Sequence, residues 1–327
     1  MSTQTQFALQ RLGQLFVVPM MNITFTIMWM ATRLGFRRAV LELLGSQMQS
    51  RRIKQRAFQS YQPTKRDLFV CTYSKSGTNW MMQIAYQIAH HGHGDYEHIH
   101  DVVPWPDAPM PSIVTLDDDA TYRGAPTGMR VIKTHLESEY VPYSPEAGYI
   151  VVVRDPKEIF VSSYFFSSGM FSDSVMVPVD EWHAMFLSDK FPYGSWSEHL
   201  ASYWPWRSRD NVLFFTFAEM KQDLPGVVRR VAEFMDVALS EEELALVVEK
   251  SEFSYMKRID HKFVPHRPRL FKNMGKTVMI RKGEHGKSSE LLSHEQQAQI
   301  DRYMRAELRR HGCDFPYDET YVTVDCM

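Results

Sequence analysis

Cysteine is scarce in this chain of 327 residues, which contains only Cys71, Cys313 and Cys326. An odd number of cysteines at these spacings fits neither a disulfide framework nor a zinc motif, and this excludes a small disulfide-stabilised secreted domain. The chain is nevertheless long enough to bury a large core, with 44% hydrophobic and 23% charged residues. We therefore expect a globular protein of a reducing compartment, the cytoplasm.

Acidic residues are almost missing from the N-terminal part of the chain. Residues 1–66 contain ten Lys or Arg but one acidic residue, Glu42. Because the net charge of the whole chain is only −2, the remainder carries about −11 by subtraction. This asymmetry indicates that the N-terminal part contacts an anionic surface. We expect no nucleic-acid partner.

Charge is also missing between Arg11 and Arg33, a run just long enough to cross a bilayer. Pro19, Asn22 and several threonines make it a poor spanning helix. Its apolar residues recur at steps of three and four, as in an amphipathic helix, at Phe16, Met20, Ile23, Ile27, Met30 and Leu34. We predict a basic helical extension over residues 1–60, in which residues 12–56 either contact a membrane surface peripherally or pack on the domain that follows, residues 61–327.

From Asp67 onward, apolar runs alternate with helical patterns. Strands are predicted for "DLFVCTY", "MRVIKTH", "GYIVVVRD" and "NVLFFTF", and helices for "TNWMMQIAYQIAHHG", "PKEIFVSSYFF" and "LPGVVRRVAEFM". This alternation predicts an α/β fold of three layers, with a central parallel sheet flanked by helices. Ligands of such sheets bind at the carboxyl ends of the strands.

The segment "CTYSKSGTNW", residues 71–80, connects the first predicted strand to the first helix of this domain. The backbone N–H groups at a helix N-terminus, the close approach that Gly77 permits and the charge of Lys75 together predict an anion site. The loop of nucleoside triphosphatases requires G-x-x-x-x-G-K-[ST], with lysine after glycine. Lys75 precedes Gly77, which weakens a kinase or triphosphatase interpretation.

The segment "TYSKSGTNW" resembles the 5′-phosphosulfate loop of the sulfotransferases that depend on PAPS, 3′-phosphoadenosine 5′-phosphosulfate. That loop typically reads T-Y-P-K-S-G-T-x-W, and Ser74 replaces its proline here. Three further blocks follow in the family's order: "IKTHL" at 132–136, "VVVRDPKEIFVSSYFF" at 151–166 and "RKGEHG" at 281–286. The resemblance covers residues 62–325 and implies a P-loop-related fold, PAPS as sulfuryl donor and no metal.

The resemblance also implies a cofactor site with three parts. The 5′ end contacts the loop residues Lys75, Ser76, Gly77, Thr78 and Asn79. The 3′-phosphate is held by Arg154, Ser162, Arg281, Lys282 and Gly283. Adenine stacks between Trp80 and Phe253, Ser251 contacts the base or ribose, and Phe217 stands where many members have tyrosine.

The chemistry of sulfuryl transfer suggests roles for four residues of these sequence blocks. An attacking hydroxyl must lose its proton as the S–O bond forms, and His135 is the predicted general base. Lys133 orients the sulfuryl oxygens, and Lys75 stabilises the leaving phosphate. Ser162 restrains Lys75 before the acceptor binds. The acceptor site is predicted to include His135 and Trp105, in "VVPWP".

Two regions depart from the simplest interpretation. Ser288 and Ser289 replace a common tryptophan and lysine after "RKGEHG", and the usual dimer motif is absent, so the oligomeric state stays open. The segment "HHGHGDYEHIHD" has metal-like spacings, but we expect no metal there because its glycines make the loop mobile. We predict sulfuryl transfer to a hydroxyl of a hydrophobic or lipid-like small molecule. The alternatives are a P-loop nucleotide kinase and a non-catalytic, membrane-associated nucleotide-binding protein.

Overall fold

The computed structural model describes residues 26–27, 30–108, 114–171, 176–265, 278–283, 286 and 288–322. Its strands are β1 Asp67–Thr72, β2 Arg130–Thr134, β3 Gly148–Val153 and β4 Val212–Thr216. The helices before β4 are α1 Arg37–Met48, α2 Arg51–Ala57, α3 Thr78–Ala89, α4 Ala120–Arg123, α5 Pro156–Phe171, α6 Val179–Phe186 and α7 Trp196–Tyr203. Those after it are α8 Phe217–Gln222, α9 Leu224–Phe234, α10 Glu241–Ser251, α11 Phe253–Arg258, α12 His294–Arg310 and α13 Tyr317–Tyr321. Short 3₁₀ helices cover Ile99–Asp101, Ser138–Tyr140, Trp204–Ser208, Asp260–Phe263 and Ser288–Glu290.

Within the described residues, the four strands form one parallel sheet in the order β2-β1-β3-β4. In the register of β1, Phe69 lies opposite Ile132 of β2 and Tyr149 of β3. Every residue of β1 is buried, as expected for a central strand that has helices on both faces. The predicted strands and their parallel arrangement are confirmed.

Alternate residues of β1 enter two different cores, one on each face of the sheet. Leu68 and Val70 pack on the face covered by α3, α9 and α10, which contribute Met81, Val228 and Val247. Phe69 and Cys71 pack on the other face, which is covered by α5, α7 and α12 through Phe160, Leu200 and Met304. Since side chains alternate along a strand, both faces of β1 are apolar, and this gives the predicted three-layer α/β fold.

The N-terminal extension contains two helices that pack on the domain and a segment that is exposed. Leu41 of α1 and Phe58, directly after α2, are buried in the larger core. Lys54 Nζ lies 2.7 Å from Glu137 Oε1, in a largely buried ion pair that joins α2 to the domain.

The apolar stripe of the extension is exposed where it is described. Ile27, Met30 and Leu34 are 61%, 55% and 75% exposed. Phe16, Met20 and Ile23 lie outside the described residues. No helix in the described part of the chain combines the length and apolar character needed to span a bilayer. The boundary between residues 60 and 61 stays a prediction.

Candidate active site

The loop between β1 and α3 lies at the carboxyl edge of the sheet. Gly77 immediately precedes α3 with a φ of 101°, and Lys75 has a φ of 71°, which is unusual for a residue with a Cβ. A Cβ at Gly77 would lie 2.8 Å from Cδ2 of Phe217. Only glycine therefore allows the loop to pass this ring and to present its N–H groups beside the helix N-terminus.

Lys75 belongs to a cationic cluster at this edge. Its Nζ lies 3.9 Å from the centre of the Phe166 ring, and its carbonyl oxygen accepts a hydrogen bond from Arg154 Nη1 at 3.0 Å. Burial, followed by the positive charge of Arg154, lowers the pKa of Lys75 to about 7. An anionic ligand would oppose both effects, so it would favour the protonated lysine.

Arg154 follows β3 and joins three parts of the site. Its Nε donates to Glu158 Oε2 at 3.0 Å, and its guanidinium lies 4.3 Å from the centre of the Phe217 ring. The other oxygen of Glu158 accepts a hydrogen bond from the backbone N–H of Gly286. The segment that follows "RKG" is thereby tied to the first turn of α5, close to Arg154.

The charged ends of Arg281 and Lys282 meet Glu290, a residue that sequence reasoning missed. Its Oε1 lies 2.8 Å from Arg281 Nη1 and 2.9 Å from Lys282 Nζ. The hydrogen bond from Arg281 is the main reason why the pKa of Glu290 falls to about 2. A carboxylate thus pairs with two of the side chains that the resemblance assigns to the 3′-phosphate. The available signal in the sequence was the position of this carboxylate, nine residues after Arg281 and eight residues after Lys282.

The predicted adenine contacts lie around the ends of α3 and α10. Trp80 Nε1 donates to the Ser251 carbonyl oxygen at 2.8 Å, and the Trp80 and Phe217 rings meet edge to face at 5.6 Å. Phe253 is 43% exposed. A Cβ at Gly283 would clash with its ring, so the backbone of the "RKG" segment passes directly over Phe253.

The residues fit the cofactor that the resemblance implies. The hydroxyl oxygens of Ser76 and Ser251 are buried, and no other described residue hydrogen bonds to them. Buried hydroxyls without partners are costly, and a polar ligand would satisfy them. Asn79 lies in the first turn of α3. Ser162 lies one turn before Phe166 on α5, on the face that approaches Lys75. Its restraint of Lys75 stays a prediction.

A second group of side chains lies at the carboxyl end of β2. His135 Nδ1 lies 2.7 Å from the carbonyl oxygen of Thr72 and therefore donates to it, which makes Nε2 the basic nitrogen. Burial and the charge of Lys133 lower the pKa of His135 well below its ordinary value, so the ring is neutral at pH 7. Lys133 Nζ lies 3.4 Å from the centre of the Trp105 ring, and burial lowers its pKa to about 7.

Asp107 is a second residue that sequence reasoning missed. Its Oδ2 accepts hydrogen bonds from Trp105 Nε1 and from the backbone N–H of His135, both at 3.0 Å. The rings of Trp105 and His135 meet edge to face at 5.4 Å. A carboxylate two residues after a predicted acceptor residue, in "VVPWPD", was the available signal. The structure thus brings Trp105, Lys133 and His135 together at one end of the site.

Three of the five histidines of residues 90–100 contact backbone carbonyl oxygens. His90 Nδ1, His98 Nε2 and His100 Nδ1 lie 2.9, 3.0 and 3.1 Å from the carbonyl oxygens of Tyr86, Val264 and Val103. In the described part of the chain, no three His, Cys, Asp or Glu side chains are grouped as metal ligands.

A model of the sulfotransferase domain matches residues 65–312, about three quarters of the chain. The chain belongs to the sulfotransferase family. It is 31% identical over 261 residues to mouse sulfotransferase 2B1, which covers 77% of this chain and 74% of that protein. It is 27% identical over 271 residues to rabbit (Oryctolagus cuniculus) sulfotransferase 1C2, covering 79% and 88% of the two chains.

Solved sulfotransferase structures share the fold. Retinol dehydratase, in complex with androsterone and the inactive cofactor PAP, matches with a TM-score of 0.64 at 20% identity, over 81% of this chain and 87% of that one. Mouse sulfotransferase SULT7A1, complexed with PAP, matches with a TM-score of 0.57 at 22% identity, over 80% and 90%. The predicted family, fold and enzyme class, a PAPS-dependent sulfotransferase, are confirmed.

Proposed function

We propose that this sulfotransferase moves the sulfuryl group of PAPS to a hydroxyl of a hydrophobic or lipid-like acceptor by in-line displacement, with His135 as general base. The hydrogen bond from His135 Nδ1 to the Thr72 carbonyl oxygen carries this proposal. It holds the ring in the tautomer whose Nε2 accepts a proton. Because the pKa of His135 lies well below its ordinary value, Nε2 is unprotonated at neutral pH and ready to accept the proton of the acceptor.

The two lysines are suited to the charge that develops during transfer. When bound, PAPS supplies an activated sulfuryl group whose leaving group is a phosphate. Lys75, in the loop after β1, would stabilise that phosphate, and Lys133, on β2, would orient the sulfuryl oxygens. Since burial lowers both pKa values to about 7, each lysine gains a full charge most readily when an anion is beside it.

The donor would be held by both ends. The loop residues 75–79 suit the 5′ end, and Arg154, Ser162, Arg281, Lys282 and the Gly283 amide suit the 3′-phosphate. Trp80, Phe217, Ser251 and Phe253 surround the expected base position. Trp80 contacts both the Phe217 ring and the Ser251 carbonyl oxygen.

A hydrophobic acceptor is supported by the rings beside the catalytic groups. Phe166 lies against Lys75 and Trp105 lies against Lys133 and His135. Apolar walls with a few placed polar groups are typical of sites for small hydrophobic molecules. Two structures of retinol dehydratase, a protein of the same fold, contain androsterone and retinol.

Peripheral membrane contact through residues 12–56 is supported by the exposed part of that segment. Leu34 and Phe36 are 75% and 60% exposed beside Arg33, Arg37 and Arg38. We propose a cytoplasmic enzyme that binds anionic lipid reversibly. Sedimentation with vesicles of phosphatidylserine and phosphatidylcholine should deplete the protein from solution, and Leu34→Asp with Phe36→Asp should reduce this. Equal binding to pure phosphatidylcholine would contradict the electrostatic part, and no binding would contradict the contact.

The transfer is tested with labelled PAPS and a panel of hydroxylated lipids, steroids and phenols. His135→Asn should reduce kcat by roughly 10²–10⁴-fold, the range for a lost general base. Calorimetric affinity for adenosine 3′,5′-bisphosphate (PAP) should stay within about twofold, because His135 contacts the acceptor side. His294→Asn, at the exposed start of α12, is the matched control. Full activity of His135→Asn would refute the base, and preference for ATP over PAP would favour the kinase alternative.

A further inference from the structure

One carboxylate contacts both the loop that carries the proposed base and the ring that covers Lys133. Asp107 Oδ2 receives the backbone N–H of His135 and the indole N–H of Trp105, each at 3.0 Å. The Trp105 ring in turn lies 3.4 Å from Lys133 Nζ, measured to the ring centre, and meets the His135 ring edge to face. The other oxygen, Asp107 Oδ1, is buried and has no hydrogen-bond partner among the described residues.

We propose that Asp107 is a positioning residue for sulfuryl transfer: it fixes the Trp105 indole and the backbone at His135. The proposal rests on the proposed function of His135 and Lys133. Asp107 itself acts through these residues, without contact to the reacting atoms.

The positioning role follows from how the contacts are shared. Asp107, Trp105 and the Lys133 partner Pro104 belong to one short segment, and the Lys133 N–H donates to the Pro104 carbonyl oxygen at 2.9 Å. Without the carboxylate, this backbone bond would still hold the segment on β2. The indole and the start of the loop after β2 would lose their common acceptor. We therefore expect displaced side chains in an otherwise folded domain, and small displacements of catalytic groups are costly.

The experiment compares Asp107→Asn, which keeps an acceptor oxygen but removes the charge, with Asp107→Ala, which removes both. Asp101→Asn, a carboxylate of the same segment, is the matched control for charge. PAP calorimetry reports folding of the cofactor site. The Trp105 indole N–H resonance, assigned with Trp105→Phe among seven tryptophans, reports the contact without any substrate.

We expect Asp107→Ala to lower kcat by at least ~10-fold, to shift the Trp105 indole resonance and to retain PAP affinity within about twofold. Asp107→Asn keeps an acceptor oxygen, so its kcat and its indole resonance should lie closer to wild type than those of Asp107→Ala. Asp101→Asn should leave kcat and the indole resonance unchanged. An unshifted indole resonance in Asp107→Ala would overturn the proposal, and so would an Asp107→Asn variant whose kcat falls as far as that of Asp107→Ala. If Asp107→Ala lost PAP binding together with its activity, the role of Asp107 would be merely structural.

The two proposals can fail separately. The indole resonance reads the Asp107 contact in protein without substrate. If wild type transferred no sulfuryl group while the resonance shifted as expected, the proposed function would fail and the contact would stand. If transfer depended on His135 but not on Asp107, only the positioning proposal would fail.

Discussion

Replacing Gly77 by alanine tests whether the turn between β1 and α3 depends on its close approach to Phe217. Gly77 has a φ of 101°, and the added Cβ would lie 2.8 Å from one carbon and 3.2 Å from another carbon of the Phe217 ring. The positive φ costs an alanine about 1–2 kcal/mol. The contact with a packed ring adds about 1–3 kcal/mol of overpacking. We therefore expect the free energy of unfolding to fall by roughly 2–5 kcal/mol.

The chain offers a control that separates the two costs. Gly35 has a φ of 95°, and nothing lies within 4 Å of a Cβ built there. Gly35→Ala should lose only the conformational part, about 1–2 kcal/mol. Urea unfolding of both variants measures the difference. Phe217→Leu in the Gly77→Ala background should recover part of it, as a favourable coupling in a double-mutant cycle.

The same substitution should weaken PAP binding, because Phe217 also contacts Arg154 and Trp80. If the ring moves away from the added methyl group, both of these predicted cofactor residues lose a neighbour. Calorimetry with PAP measures this effect, and Gly35→Ala should bind PAP as wild type does. If Gly77→Ala were no less stable than Gly35→Ala, the close approach to Phe217 would be refuted as the reason for glycine.

Three further predictions concern charge. Glu290→Gln should lower the Kd for PAP by ~2–5-fold, because it removes a carboxylate that competes for Arg281 and Lys282 in pairs worth about 0.2–1 kcal/mol at an exposed surface. The control Glu295→Gln breaks an exposed ion pair on α12 and should leave the Kd for PAP unchanged. Unchanged affinity in Glu290→Gln would contradict the competition. PAP affinity should fall as the pH rises above about 7, because Lys75 of the free protein loses its proton there. Calorimetry in buffers of different ionisation enthalpy should show that PAP binding takes up protons, and Lys75→Met should reduce this uptake. Arg281→Ala should weaken PAP by about 1.5–3 kcal/mol, roughly 10–100-fold, but leave AMP binding unchanged because AMP lacks the 3′-phosphate; equal weakening of both would argue against this role.

Most of the fold could be predicted because its signals are local. The apolar run of β1 is followed at once by the loop and by the start of α3, so strand, anion site and helix are adjacent in the chain. Gly77 and Lys75 have positive φ values in that same turn. Motif order then indicated His135, Arg154 and the "RKG" segment. None of this requires knowing which distant residues touch.

Other features could not be predicted because they depend on contacts between distant segments. Lys75 lies against Phe166, 91 positions later, and Arg281 and Lys282 meet Glu290 across a turn of the chain. Asp107 reaches the His135 backbone across 28 positions. The position of Asp107 in the sequence indicates neither of the two N–H groups that donate to its carboxylate.

The amino-acid order alone thus specified the strands, the turn between β1 and α3, the family and the side chains available for chemistry, since these follow from short-range backbone preferences and from motifs. Packing decided their protonation and their partners. The low pKa values of Lys75 and Lys133 arise mainly from burial, which is a property of the assembled site. The tautomer of His135 depends on a carbonyl oxygen of β1, which lies beside β2 only in the folded sheet.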